Sequence, residues 1–141
     1  MRKPIVLGAL VAALFAVTPT ASASPSIPTC LISNGGSGGH FSKTLICVEL
    51  VQSDHGHTGS GSYSPGDANT EHWLTESVEF RPLGPGSSVW LPLATASAHG
   101  IGRLTAVTAP VRLPAPGALR ACTQVGTGVH TQVGELCSNP A

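Results

Sequence analysis

The sequence predicts an all-β sandwich of about seven short strands held by two disulfides. Three observations predict it. Short runs of β-branched and apolar residues alternate with turn residues along most of the chain, which carries 17 Gly and 12 Pro in 141 residues. No segment after the N-terminal stretch keeps a helical apolar period. The Ala-rich 94–98 is diluted by Thr95 and Ser97 and bracketed by Pro92 and Gly100. The four Cys form an even set in a chain that reads as exported.

Export is read from the N-terminus. Arg2 and Lys3 precede an apolar stretch over 5–17, and Ala21-Ser22-Ala23 supplies the small residues of a signal-peptidase site. Residues 1–23 are therefore expected to be a signal peptide and 24–141 a single β-sandwich domain. The apolar stretch is shorter than the roughly 20 residues that span a bilayer, and no second one follows, so a secreted domain with no membrane contact after cleavage is expected. No Cys stands at the cleavage point, which argues against a lipoprotein.

Charge narrows the partners. Only 10% of residues are charged, seven basic against seven acidic. Loss of Arg2 and Lys3 leaves five basic residues against seven acidic, a net charge of −2. A basic nucleic-acid face and an acidic solvating tail are both disfavoured, and the heptads of a coiled coil are missing.

The elements follow in order. The first strand is expected over 27–33, ending in the glycine-rich 35–39, and the second over 42–53, with Leu45, Ile46, Val48, Leu50 and Val51. Residues 54–70 read as a long polar loop containing the turn Ser64-Pro65-Gly66-Asp67. The third strand, 71–81, alternates cleanly: Leu74, Val78 and Phe80 share a face, with Glu76 as the polar exception. After Pro82-Leu83-Gly84-Pro85-Gly86 comes 88–97, with Val89, Leu91 and Leu93 on one face and Trp90 on the other. A turn at His99-Gly100 leads to 104–113, and Pro114-Ala115-Pro116-Gly117 leads to 119–125 and 129–136. The repeat of Thr123-Gln124-Val125-Gly126 at 131–134 places the last turn on Thr127, with Thr123 facing Thr131. Ala121, Thr123 and Val125 then face inward, and Arg120, Cys122 and Gln124 outward. Seven short strands in this length fit an immunoglobulin-like sandwich best, with a small barrel as the runner-up.

Parity also bears on Cys30, Cys47, Cys122 and Cys137. A two-residue turn at Gly38-Gly39 sets Cys30 directly opposite Cys47. Cys122 and Cys137 fall on opposite faces of a regular hairpin, so pairing them requires a bulge, best placed at Gly134. The main rival pairing, Cys47 with Cys122 and Cys30 with Cys137, would link the two sheets. No C-x-x-C pair exists to suggest a thiolate metal site.

Candidate chemistry is sparse. Gly35-Gly36-Ser37-Gly38-Gly39 satisfies G-x-S-x-G, but a nucleophile elbow needs a following helix, and a flexible turn is the expected role. His55 and His57, spaced i, i+2, point to one side of an extended segment and can seat Zn²⁺ or Cu²⁺ if His40, His72, His99 or His130 supplies a third ligand. Glu76 and Glu79 face opposite sides of one strand and cannot serve as a glycosidase pair. Glu76, on the apolar side, is expected to seek an Arg such as Arg103 or Arg112. Trp73 and Trp90, with Tyr63, are candidates for stacking against sugar rings.

The run Leu119-Arg120-Ala121-Cys122-Thr123-Gln124-Val125, with its Gly turn and closing Cys137, resembles the C-terminal hairpin of many small exported actinomycete proteins. Leu83-Gly84-Pro85-Gly86-Ser87-Ser88 resembles the turn before a strand in bacterial immunoglobulin-like domains. These resemblances imply a secreted β-sandwich and carry over no catalytic residue. The expected function is non-catalytic surface contact with a protein or a cell-envelope glycan, without a cofactor. The alternatives are a metal-binding module or small metalloenzyme built on His55 and His57, and an inhibitor of extracellular hydrolases presenting 54–70 as bait.

Overall fold

The computed structural model describes residues 26–35, 42–67, 69–129 and 131–141. The expected signal peptide, the G-x-S-x-G serine, the expected Gly38-Gly39 turn, His40 and His130 lie outside those residues. The described part is all-β: two antiparallel sheets of four strands each face one another across a shared core. One sheet has the order β1 (Thr29–Gly35), β2 (Ser42–Ser53), β3 (Gly56–Ser64), β6 (Leu104–Val107). The other has β5 (Leu91–Ile101), β4 (Glu71–Pro82), β7 (Gly117–Thr127), β8 (Thr131–Cys137). Among the described residues no helix is long and apolar enough to cross a membrane.

Strict alternation builds the core. β4 directs Leu74, Val78 and Phe80 inward, and its partner β7 directs Leu119, Ala121 and Val125 the same way. Ile46 and Val48 of β2, Tyr63 of β3, and Leu104 and Ala106 of β6 cover them from the facing sheet. The apolar groups form two clusters, one around Leu74 and Val125 and one of Val78, Phe80 and Leu119. Between them on β4 and β7 lie Glu76 and its cross-strand neighbour Thr123, both fully buried.

Among the described residues eight strands form where seven were expected. The additional one is β3, which the sequence disguises as loop. Its inward positions 59 and 61 are glycines and its outward positions 60 and 62 serines, so period-2 hydrophobicity is absent. A tight turn at Asp54 and His55 joins it to β2, with Ser53 opposite Gly56. Segment 54–70 is therefore not a bait loop, because most of it is an inner strand of the first sheet.

Two turns also move. β5 continues through His99 and Gly100 to Ile101, and the chain crosses to the other sheet at Gly102, whose φ of +86° suits glycine. The inward side of β5 is Ala96 and Ala98, whereas Leu91 and Leu93 are exposed. A register shift at Val78/Glu79, which are paired with Ala94 and Pro92, leaves Leu93 unpaired and breaks the expected alternation. In the final hairpin Thr127, not Thr123, faces Thr131, and Thr123 faces Leu136. The register slips where Val125 meets Gly134 and Gly126 meets Gln132, so the extra residue is Val133, beside the expected Gly134.

That bulge sets Cys122 opposite Cys137, and the β1–β2 ladder sets Cys30 opposite Cys47. Both disulfides form accordingly, each joining neighbouring strands of one sheet rather than bridging the two sheets.

Candidate functional site

Among the described residues, His55 and His57 do not gather a ligand set. His55 is exposed in the β2–β3 turn, and His57 is tied by its backbone to Val111, with N–H···O distances of 2.7 and 2.8 Å. Two of the candidate third ligands stand elsewhere. His72 is buried at the opposite end of the sandwich, its ring 5.0 Å from that of Tyr63 and its Nδ1 2.9 Å from the Thr70 carbonyl. His99 is on the surface, 3.1 Å from the Glu71 carboxylate. The metal-ligating atoms that do converge among the described residues belong to Cys122, Glu135 and Cys137, and both of those sulfurs are consumed in a disulfide.

Trp73 and Trp90 both lie on the outer side of the second sheet but do not form one platform. Trp73 is half-buried against Gly126, where a Cβ would fall 2.2 Å from the ring, and its indole N–H is buried without a partner. Arg81, which contacts Trp90, stands eight residues further along β4, about 26 Å at the rise of an extended strand. Trp90 is held differently. The Arg81 and Arg120 guanidinium carbons lie 4.7 and 4.3 Å from the centre of its ring. Arg120 in turn donates to the Glu79 carboxylate, from Nε and from an Nη, at 2.7 Å each. Three strand residues thus fix one aromatic side chain, which comes from the segment leading into β5. Cation–π contacts of this kind are worth about 0.5–1 kcal/mol each at exposed sites. Alternation alone assigns Arg81 and Arg120 to the outer face, but only register reveals that they converge on Trp90.

Glu76 holds the most unusual position. It shows 0% exposure, with Thr123 as its hydrogen-bond partner and neither Arg103 nor Arg112 near it. Arg103 lies on the other side of the first sheet, and Arg112 reaches the Asp54 carbonyl at 3.5 Å. Burial pushes the Glu76 carboxyl up to about 8, and the Thr123 hydroxyl only partly offsets this. Room for the carboxyl is made by β3: a Cβ on Gly59 would lie 2.8 Å from Oε1, and one on Gly61 2.2 Å from Oε2. The sequence signal was present, since glycines at i and i+2 of a strand clear a single face.

A cleft of about 250 Å³ opens on the outer side of the first sheet, lined by Pro28, Cys47, Glu49, Ser60, Ser62 and Arg103. Glu49 accepts a hydrogen bond from Ser26 at its rim. No family model, curated protein or solved structure matches this chain.

Proposed function

We propose that this protein is a secreted binding module that works by surface contact, with the outer side of β4 and β7 around Trp90 as its recognition face. One observation carries the reading: Trp90 is held in place by Arg81 and Arg120, and Arg120 by Glu79. Trp and Arg are the residue types that dominate the energetic centres of interfaces, and side chains already fixed before contact lose less entropy on binding. Leu83 and Val89, exposed at 74% and 64%, flank the site on the β4–β5 connection and favour a protein partner. The ring and its charged neighbours also suit a cell-envelope glycan, which is the second reading. Both disulfides support an oxidising compartment.

The test is retention of the purified domain on cell-envelope fractions, on immobilised extracellular proteins and on a glycan array. Trp90→Ala and Arg81→Ala are compared with the distant His99→Ala. Retention by wild type and His99→Ala, with a tenfold or greater loss in the other two, supports the face. Equal retention by all four proteins refutes it.

A further inference from the structure

We propose that Glu76 is a proton-operated latch: with its carboxyl neutral, β3 seats against β4 and β7, and with it ionised, β3 comes away so that water reaches the charge. This goes beyond the recognition face and does not depend on it.

The geometry suits the neutral form. Thr123 Oγ1 lies within hydrogen-bond reach of two acceptors, Glu76 Oε2 and, at 3.3 Å, the Cys47 carbonyl on the facing sheet. A hydroxyl carries one hydrogen. Both contacts are satisfied when the Glu76 O–H donates to Thr123 and the Thr123 O–H donates onward to Cys47. That relay runs from β4 through β7 to β2, so it ties one sheet to the other. With Glu76 ionised, Thr123 must turn its hydrogen back and the link to Cys47 is lost. Oε1 already lacks a partner, which is more tolerable for a neutral acid than for a buried carboxylate.

Among the described residues no charge compensates the ionised form. From β3, the titratable groups of inward parity are Tyr63, its phenol raised by burial and by Asp67, and, towards the other end of the strand, the half-buried His57. β2 presents Ile46 and Val48, β6 Leu104 and Ala106, β5 Ala96, and β7 Thr123 with Ala121 and Val125. On β4 itself the neighbours are Leu74 and Val78, with His72 further along against Tyr63. Glu49, Glu79, Arg81 and Arg120 all point to outer faces.

β3 is the strand that moves because over the carboxyl it contributes no side chain, its core side chain Tyr63 lying further along. Gly59 and Gly61 offer only backbone over the carboxyl, whereas β4 and β7 in the facing sheet bury large apolar groups. The step is a simple acid dissociation, in which the Glu76 O–H bond breaks and entering water takes the proton.

The experiment is a carboxyl NMR titration of the ¹³C-labelled protein, combined with amide hydrogen exchange corrected for intrinsic rates from pH 6 to pH 9.5. In wild type, Glu76 is expected to titrate in the weakly alkaline range, with β3 amides losing at least tenfold in protection as it does. In Glu76→Gln, β3 protection is expected to stay constant. Titration of Glu76 alongside the exposed carboxylates would overturn the proposal, as would the same course of β3 protection in both proteins. The wild-type titration decides the matter even if the variant does not fold.

Discussion

Complementarity between single side chains explains the composition of β3. A carboxyl can enter this core because the residues across from it have no Cβ, and Gly61 is the tighter of the two. Adding one carbon there would bring it 2.2 Å from Glu76 Oε2 and 2.5 Å from Thr123 Oγ1. Overpacking of this sort costs about 1–3 kcal/mol, so Gly61→Ala should lower the unfolding free energy by that amount in urea titrations. Glu76→Ala vacates the same space. The double variant should therefore lose less than the two single losses added together, and the difference measures the coupling. Strict additivity would show that the two positions do not meet. On the outer face, Gly126→Ala should also destabilise, because its Cβ would lie 2.2 Å from the Trp73 ring and 2.3 Å from the Thr131 carbonyl.

Among the elements, those with clean alternation were legible in the sequence and the others were not. β2 spans Ser42–Ser53, the expected range, and β4 places Leu74, Glu76, Val78 and Phe80 on one side as the parity requires. β3 was hidden because its inward residues were chosen for small size rather than hydrophobicity. β5 was shifted because it is an edge strand, where burial no longer dictates which residue sits where. The convergence of Arg81 and Arg120 on Trp90 depends on cross-strand register and on the path of the β4–β5 connection, which short-range pattern does not encode. The disulfides were legible because each depends on parity between two neighbouring strands. They close loops with sequence separations of 17 and 15 residues, each worth about 3 kcal/mol by loop entropy. Replacing Cys122 and Cys137 together by Ser should lower the denaturation midpoint accordingly. An unchanged midpoint would mean that the β7–β8 ladder holds without the bridge.

For the whole molecule, the buried acid sets the pH dependence of stability. Glu76 has its carboxyl raised from 4.5 to about 8 in the folded protein, chiefly by burial. Between those values the folded state keeps a proton that the unfolded chain releases. Stability is therefore full below about pH 4.5 and falls as pH rises, by about 1.4 kcal/mol per unit. It levels off above about pH 8. Asp67 acts with the opposite sign. The Thr70 hydroxyl and the Asn69 amide hold its carboxyl low, so its contribution is present above its ordinary value and lost in acid. The sandwich is thus firmest in mildly acidic surroundings, where Asp67 is ionised and Glu76 is neutral in both states.

The most direct measurement is the unfolding free energy of wild type and Glu76→Gln across pH 5 to 9, by chemical denaturation with both disulfides intact. A sandwich closed over a neutral carboxyl predicts that wild type loses several kcal/mol over this range, while Glu76→Gln changes little and is the more stable of the two at pH 8. A wild type as stable at pH 8 as at pH 5, or a variant that follows the same falling curve, would contradict it.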